Sequence, residues 1–264
     1  MNIAIAQTKI LWKDKAANLL KAKEYAIEAG KNAADILVFP EMSFTGFCMD
    51  TADIGEYDLQ SVNAVSKIAK EHSVAIGFGW VENTDGLSKN HYTIIDKSGM
   101  SILDYVKIHP FSFVNEDKYY QPGEDIAFCN ISGVRMSVFI CYDLRFAEPL
   151  SIAADRSELI LIPANWPRTR REHFKLLLRA RAIENVCYIV GVNCVGQQLD
   201  LAYAGDSCVI SPQGKTLFQQ YMKEGLFLYN IEGVSENVLD SREKFPVLQD
   251  RKNGIYDKLR DVYL

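Results

Sequence analysis

The run Val74-Ala75-Ile76-Gly77-Phe78-Gly79-Trp80, the turn Asn83-Thr84-Asp85-Gly86 and the run Tyr92-Thr93-Ile94-Ile95-Asp96 decide how this chain folds. Two apolar, β-branched and aromatic stretches separated by Asn, Asp and Gly read as an antiparallel hairpin. A second turn, Lys97-Ser98-Gly99, leads into a further apolar stretch at 102–106, so the meander continues. A purely parallel doubly wound sheet has no such hairpins, and a layered sandwich is favoured over a simple Rossmann sheet.

Outward from there, strand-like runs fall at 3–7, 36–39, 135–140, 159–162, 188–193, 207–210 and 226–229, alternating with helical patterns. Asp14 is placed to cap a helix reaching about residue 33, apolar residues recur at 59, 62, 65, 68 and 69, and a third helix is expected over about 171–186. The expected class is therefore α/β in the layered α+β sense. No Pro/Ser-rich linker, low-complexity tract or repeat divides the chain, which reads as one domain over 1–264. The polar, strand-poor stretch 232–264 reads as a C-terminal arm that packs on a partner subunit.

The bulk numbers exclude several classes of function. With 264 residues, 48% hydrophobic and 24% charged, the chain has ample material for a core. Its 34 acidic and 29 basic residues are interspersed and give a formal charge of -5, so no basic footprint for nucleic acid is present. Met1-Asn2-Ile3-Ala4-Ile5-Ala6-Gln7 resembles a first strand rather than a secretion signal, and no stretch approaches the roughly 18 apolar residues of a membrane span. The six cysteines form no C-x-x-C pair and read as reduced thiols of a cytoplasmic protein. The four histidines are scattered without zinc-ligand spacing, so neither a metal nor a cofactor is expected.

Three segments deliver a reactive residue type at the end of an apolar strand. In Ile36-Leu37-Val38-Phe39-Pro40-Glu41, proline stops the strand and Glu41 follows, with a sheet edge expected there. In Asp104-Tyr105-Val106-Lys107 the strand ends on an ammonium. In Val138-Phe139-Ile140-Cys141-Tyr142-Asp143 a buried strand breaks into an expected helix at the thiol, like a nucleophile elbow without its glycines. Each residue alone has an ordinary reading: a solvated loop charge, an edge lysine, a buried small hydrophobe. Together they match acyl-transfer chemistry. A helix N-terminus and a nearby ammonium would stabilise the thiolate, a carboxylate would move the proton, and the ammonium would stabilise the tetrahedral oxyanion.

Phe39-Pro40-Glu41, Lys107-Ile108-His109-Pro110-Phe111 and Cys141-Tyr142-Asp143-Leu144-Arg145-Phe146 resemble the signature segments of the nitrilase superfamily of carbon–nitrogen hydrolases, and the likeness extends over nearly the whole chain. The resemblance implies a four-layer αββα sandwich pairing into an αββα-αββα homodimer. It also implies Glu41 as general base, Lys107 as oxyanion stabiliser, Cys141 as nucleophile, and a second carboxylate that orients lysine and water, for which Glu116 stands in the matching place. Nitrilases proper follow the nucleophile with Trp-Glu, so Tyr142-Asp143 favours the amidase branches. Ala164-Asn165-Trp166-Pro167, the 179–185 stretch and Tyr203-Ala204-Gly205-Asp206-Ser207 are similar to bacterial ω-amidases, which open the terminal amide of 2-oxoglutaramate or 2-oxosuccinamate. Ala147 departs from the Pro that many relatives carry there.

Such a small-molecule amide carries a far carboxylate, which a guanidinium binds bidentately. The candidates are Arg170 first, then Arg168, with Arg145 expected instead to brace the elbow through an internal ion pair. Tyr142, Phe111, Trp166 and Asn165 are expected to shape the pocket. N-carbamoyl amides are the alternative substrate class, and a catalytically silent binding protein or a glutaminase serving a synthetase are the remaining readings.

Overall fold

The computed structural model describes residues 1–255 and 257–258. In chain order the strands are β1 Asn2–Gln7, β2 Ile36–Val38, β3 Ala75–Glu82, β4 Lys89–Ile95, β5 Ser101–Val106, β6 Phe128–Ile131, β7 Val134–Val138, β8 Leu159–Ala164, β9 Tyr188–Asn193, β10 Val195–Gln198, β11 Leu201–Ile210, β12 Thr216–Tyr221 and β13 Gly225–Asn230. The helices are α1 Lys15–Lys31, α2 Thr51–Ile54, α3 Gln60–His72, α4 Ala147–Ala154, α5 Arg171–Asn185 and α6 Val234–Lys244. The Asp14 side chain accepts from Ala17 N–H and caps α1, as its position in the sequence predicts.

Two mixed sheets result. One runs β13-β1-β2-β3-β4-β5, and the other runs β10-β11-β9-β8-β7-β6 with β12 paired to β11. The hairpin read from the sequence is present: β3 and β4 pair antiparallel with Gly79 opposite Tyr92, and β4 and β5 pair antiparallel through the next turn. Three parallel strands, β1-β2-β3 in one sheet and β7-β8-β9 in the other, form the centre of each. The edge strands β6, β10 and β12 are additions to the sequence reading. β12 carries half-exposed and exposed residues throughout, so its apolar signal is weak.

Strand alternation sorts the first sheet between two cores. Ile3, Ile5, Ile36 and Val38 face the second sheet, while Ala4, Ala6 and Leu37 face α1 and α3. Phe174, Leu178 and Ala182 of α5 cover the far side of the second sheet, completing the α-β-β-α order of layers. Small alanines on β1 let α1 approach closely through its own Ala22, Ala26 and Ala29. α6 also sits on its own chain: Val234 and Val238 are buried in the main core, and the Arg242 guanidinium donates to the carbonyls of Ala154, Ser157 and Val186. This part of the expected 232–264 arm is thus seated intramolecularly, and its end, 256 and 259–264, lies outside the described residues.

Candidate active site

Glu41 follows the C-terminal end of β2. This strand lies in the middle of its sheet, so the expected sheet edge is corrected to a strand end, and Glu41 is fully buried. The loop it opens lies directly on β3. Ser43 N–H donates to Gly79 O at 2.9 Å, Gly79 N–H donates to Ser43 Oγ at 2.8 Å, and the backbone at Met42 occupies the space a Cβ on residue 79 would need. Glycine at 79 therefore fixes where the carboxylate stands.

Lys107 follows β5, its N–H bonded to Asn90 O at 2.9 Å. Its ammonium reaches Glu41 Oε1 at 2.9 Å and Glu116 Oε2 at 2.9 Å. Glu116 enters from the turns between β5 and β6, also accepting from Phe111 N–H at 2.5 Å. Burial alone would lower the Lys107 pKa, yet the charges of Glu116 and Glu41 outweigh it and hold the ammonium well above its ordinary value. Burial, opposed by Lys107 and aided by Glu41, raises the Glu116 carboxyl above its usual range.

Cys141 ends the segment after β7 with a φ of 47°, a strained conformation for a residue with a Cβ. It opens a 3-10 turn over Cys141–Arg145, not the helix expected there. Five residues of 3-10 turn carry little dipole, and the thiolate expected from the sequence is corrected as well. Burial pushes the thiol well above its ordinary value, the charge of Glu41 adds to this, and Lys107 only partly offsets it. Burial thus favours the protonated sulfur, for which a neighbouring base has a use.

Cys141, Lys107, Phe111, Tyr142, Asn165, Trp166 and Arg170 line one pocket enclosing about 470 Å³ of empty space, part of it open to solvent. The structure thus gathers most of the residues singled out from the sequence. Glu41 and Glu116 stand behind its wall, bonded to Lys107. Arg168 is exposed and outside the lining, whereas Arg145, expected as a brace, lines it and stacks its guanidinium 4.9 Å from the Trp166 ring centre. Arg181 is the brace instead, donating to Leu144 O and pairing with Glu184. The Arg170 guanidinium lies 5.4 Å from the Phe111 ring centre, and its carbonyl accepts from Trp166 Nε1 at 2.8 Å.

Phe47, Val114, Pro167, Leu201 and Tyr203 complete the lining; Pro167 and Tyr203 were singled out from the sequence only as parts of the segments similar to ω-amidases, and Phe47, Val114 and Leu201 were not singled out. Nor was Asn90, whose side-chain amide donates to Glu41 Oε1 at 2.9 Å and Glu116 Oε1 at 3.2 Å. A polar residue inside a strand otherwise apolar on the same face was the available signal. Asn165 does more than line the pocket: its N–H donates to Glu41 Oε2 at 3.1 Å and its amide to Glu41 O at 2.6 Å.

A carboxylate, an ammonium and a thiol converge here at strand ends, the place where open α/β sheets bind ligands. The carbon–nitrogen hydrolase family model matches residues 2–232. The chain belongs to the carbon–nitrogen hydrolase family. This hydrolase of carbon–nitrogen bonds is 34% identical over 260 residues to the 2-oxoglutaramate amidase of Bacillus subtilis, covering 96% of this chain and 98% of that one. It is 32% identical to the omega-amidase YafV of Escherichia coli K12, covering 95% and 96%. Among solved structures, XC1258 from Xanthomonas campestris, a CN-hydrolase superfamily protein with an arsenic adduct in its active site, superposes with a TM-score of 0.89 at 29% identity, covering 96% and 97%. The amidase from Nesterenkonia sp. AN1, as a double mutant in complex with acrylamide, shares the fold with a TM-score of 0.88 at 22% identity over 98% and 97% of the two chains. The resemblance to the nitrilase superfamily and the four-layer sandwich it implied are both borne out.

Proposed function

We propose that this single-domain hydrolase opens the terminal amide of a small dicarboxylate monoamide, 2-oxoglutaramate or 2-oxosuccinamate, through a cysteine thioester. The observation that carries the reading is the Lys107 ammonium held at 2.9 Å by Glu41 on the wall of the pocket that Cys141 lines. The names of the Bacillus and Escherichia relatives support the substrate class. Two guanidiniums, Arg170 and Arg145, line the same pocket and suit a carboxylate at the far end of the substrate.

In the proposed cycle the amide carbonyl oxygen sits between Lys107 and the Tyr142 N–H. Glu41 takes the Cys141 proton as the sulfur electron pair attacks the carbonyl carbon, and the oxyanion forms against the ammonium. Glu41 then gives that proton to the amide nitrogen as the C–N bond breaks, releasing ammonia and leaving a thioester. A water that Glu41 deprotonates, oriented by Glu116, attacks the thioester. The S–C bond breaks, the sulfur recovers a proton and the acid departs. No step calls for a cofactor.

We also propose a homodimer in a reducing, cytoplasmic setting. Exposed Leu176, Ile183, Leu239 and Phe245 on α5, on α6 and just beyond it offer an apolar face for a second copy, and all six cysteines are free. The test of function is ammonia release from 2-oxoglutaramate, succinamate, N-carbamoyl amino acids and nitriles, with intact mass after brief incubation. A +acyl adduct on the native protein and none on Cys141→Ala is expected. Preference for carbamoyl substrates, or turnover by the Cys141→Ala variant, would overturn the reading.

A further inference from the structure

Asn90 lies on β4 and is 1% exposed. It touches each member of the buried charge cluster. Its carbonyl accepts from Lys107 N–H at 2.9 Å, and its side-chain amide gives one bond to Glu41 Oε1 at 2.9 Å and one to Glu116 Oε1 at 3.2 Å. Its own Oδ1 is buried and finds no hydrogen-bond partner among the described residues. An orphaned buried acceptor costs about 1–3 kcal/mol, a cost that the two bonds from the amide nitrogen to carboxylates offset. Turning the amide over would set Oδ1 against two carboxylate oxygens.

The bonds to Glu41 are unequal between its two oxygens. Oε1 accepts from both Lys107 and Asn90, whereas Oε2 accepts only from the Asn165 N–H at 3.1 Å among the described residues. Asn165 lines the pocket together with Cys141, so Oε2 is the oxygen bonded to that part of the wall.

We infer that Asn90 is a positioning residue that occupies Oε1 of Glu41 and ties Glu41 to Glu116, leaving Oε2 as the atom that takes the Cys141 proton. The inference rests on the thioester reading above. In the step it describes, the Sγ–H bond breaks, the Oε2–H bond forms, and the sulfur electron pair passes to the substrate carbonyl carbon.

The test compares native protein with Asn90→Ala and Asn90→Ser, reading kcat, KM and thermal melting with the amide that the native protein turns over best. Removing a bond to a charged group should lower kcat about 10- to 100-fold. KM should stay within about threefold, since the bonds lost touch the base and not the substrate. Asn90→Ser removes less packing and gives the same reading where Asn90→Ala does not fold. Wild-type kcat beside a lowered melting temperature would reduce Asn90 to a structural role and overturn the inference. Failure of the thioester reading registers separately, as activity in the Cys141→Ala variant.

Discussion

Asp143 Oδ1 accepts the backbone N–H of His109 at 2.9 Å, joining the elbow of one sheet to the strand end of the other. The same oxygen meets His109 Nδ1 at 2.7 Å, and Oδ2 accepts from Tyr105 O–H at 2.8 Å and Ile140 N–H at 2.9 Å. One buried carboxylate thus gathers the backbone on both sides of Cys141 and Lys107. It explains how two sheets that share no ladder present a thiol and an ammonium to one pocket.

Asp143→Asn keeps the shape but replaces one acceptor oxygen with a donor, so at least one of the four groups loses its partner. A buried donor left unpaired costs about 1–3 kcal/mol. The expected outcome is a lower melting temperature together with a kcat reduced about tenfold or more, since a misplacement near 1 Å costs that much or more. Calorimetry and ammonia release on the same preparation check it. A native kcat would show that the two strand ends hold their spacing without this carboxylate.

Protonation of the nucleophile gives a second expectation. Burial, and then the charge of Glu41, raise the Cys141 thiol well above the ordinary thiol range, which favours the protonated sulfur where a free thiol would be losing its proton. The near-ultraviolet thiolate absorbance that distinguishes native protein from Cys141→Ser should therefore be absent at neutral pH and remain absent up to about pH 9. A thiolate signal at pH 7 would mean that Lys107 outweighs burial and the two carboxylates.

The strand ends were legible in the sequence because an apolar run followed by a single reactive residue is a local signal. Pro40 before Glu41, Val106 before Lys107 and Ile140 before Cys141 each carry it within a few residues. The hairpin at Asn83-Thr84-Asp85-Gly86 was legible for the same reason. Asn90 was not: in Lys89-Asn90-His91 it reads as a solvent-facing polar residue, and its burial is explained by Glu41 and Glu116, 49 and 26 positions away. Arg145 was expected to brace the elbow and Arg181 was given no part, because sequence spacing cannot say which guanidinium faces the pocket. The thiolate expectation left out burial, which only the fold supplies and which raises the Cys141 thiol while the ammonium is shared with two carboxylates.

The arginines give a prediction about substrate choice. Arg170 lines the pocket and stacks near Phe111, whereas Arg168 points outside it. Arg170→Ala should raise KM for a carboxylate-bearing amide about 10- to 100-fold, the worth of a charge-assisted bond, and leave a neutral amide of similar size unchanged. Arg168→Ala should alter neither. Equal effects of Arg170→Ala on both amides would make it a packing residue, and Arg145 would take its place as the carboxylate partner.

The departure at Ala147 makes a final prediction about stability. Ala147 is the first residue of α4, the position where a missing N–H costs nothing because first-turn amides have no partner within the helix. Phe146 before it has φ -103° and ψ 114°, the extended conformation that a following proline requires. Both conditions for proline are met, so Ala147→Pro should stiffen the unfolded chain without straining the fold and stabilise the protein by about 0.4–1 kcal/mol. Since the side chain at 147 lies outside the pocket lining, kcat and KM should stay at native values. A fall in melting temperature would show that the turn after Arg145-Phe146 takes a path in solution that the ring cannot follow.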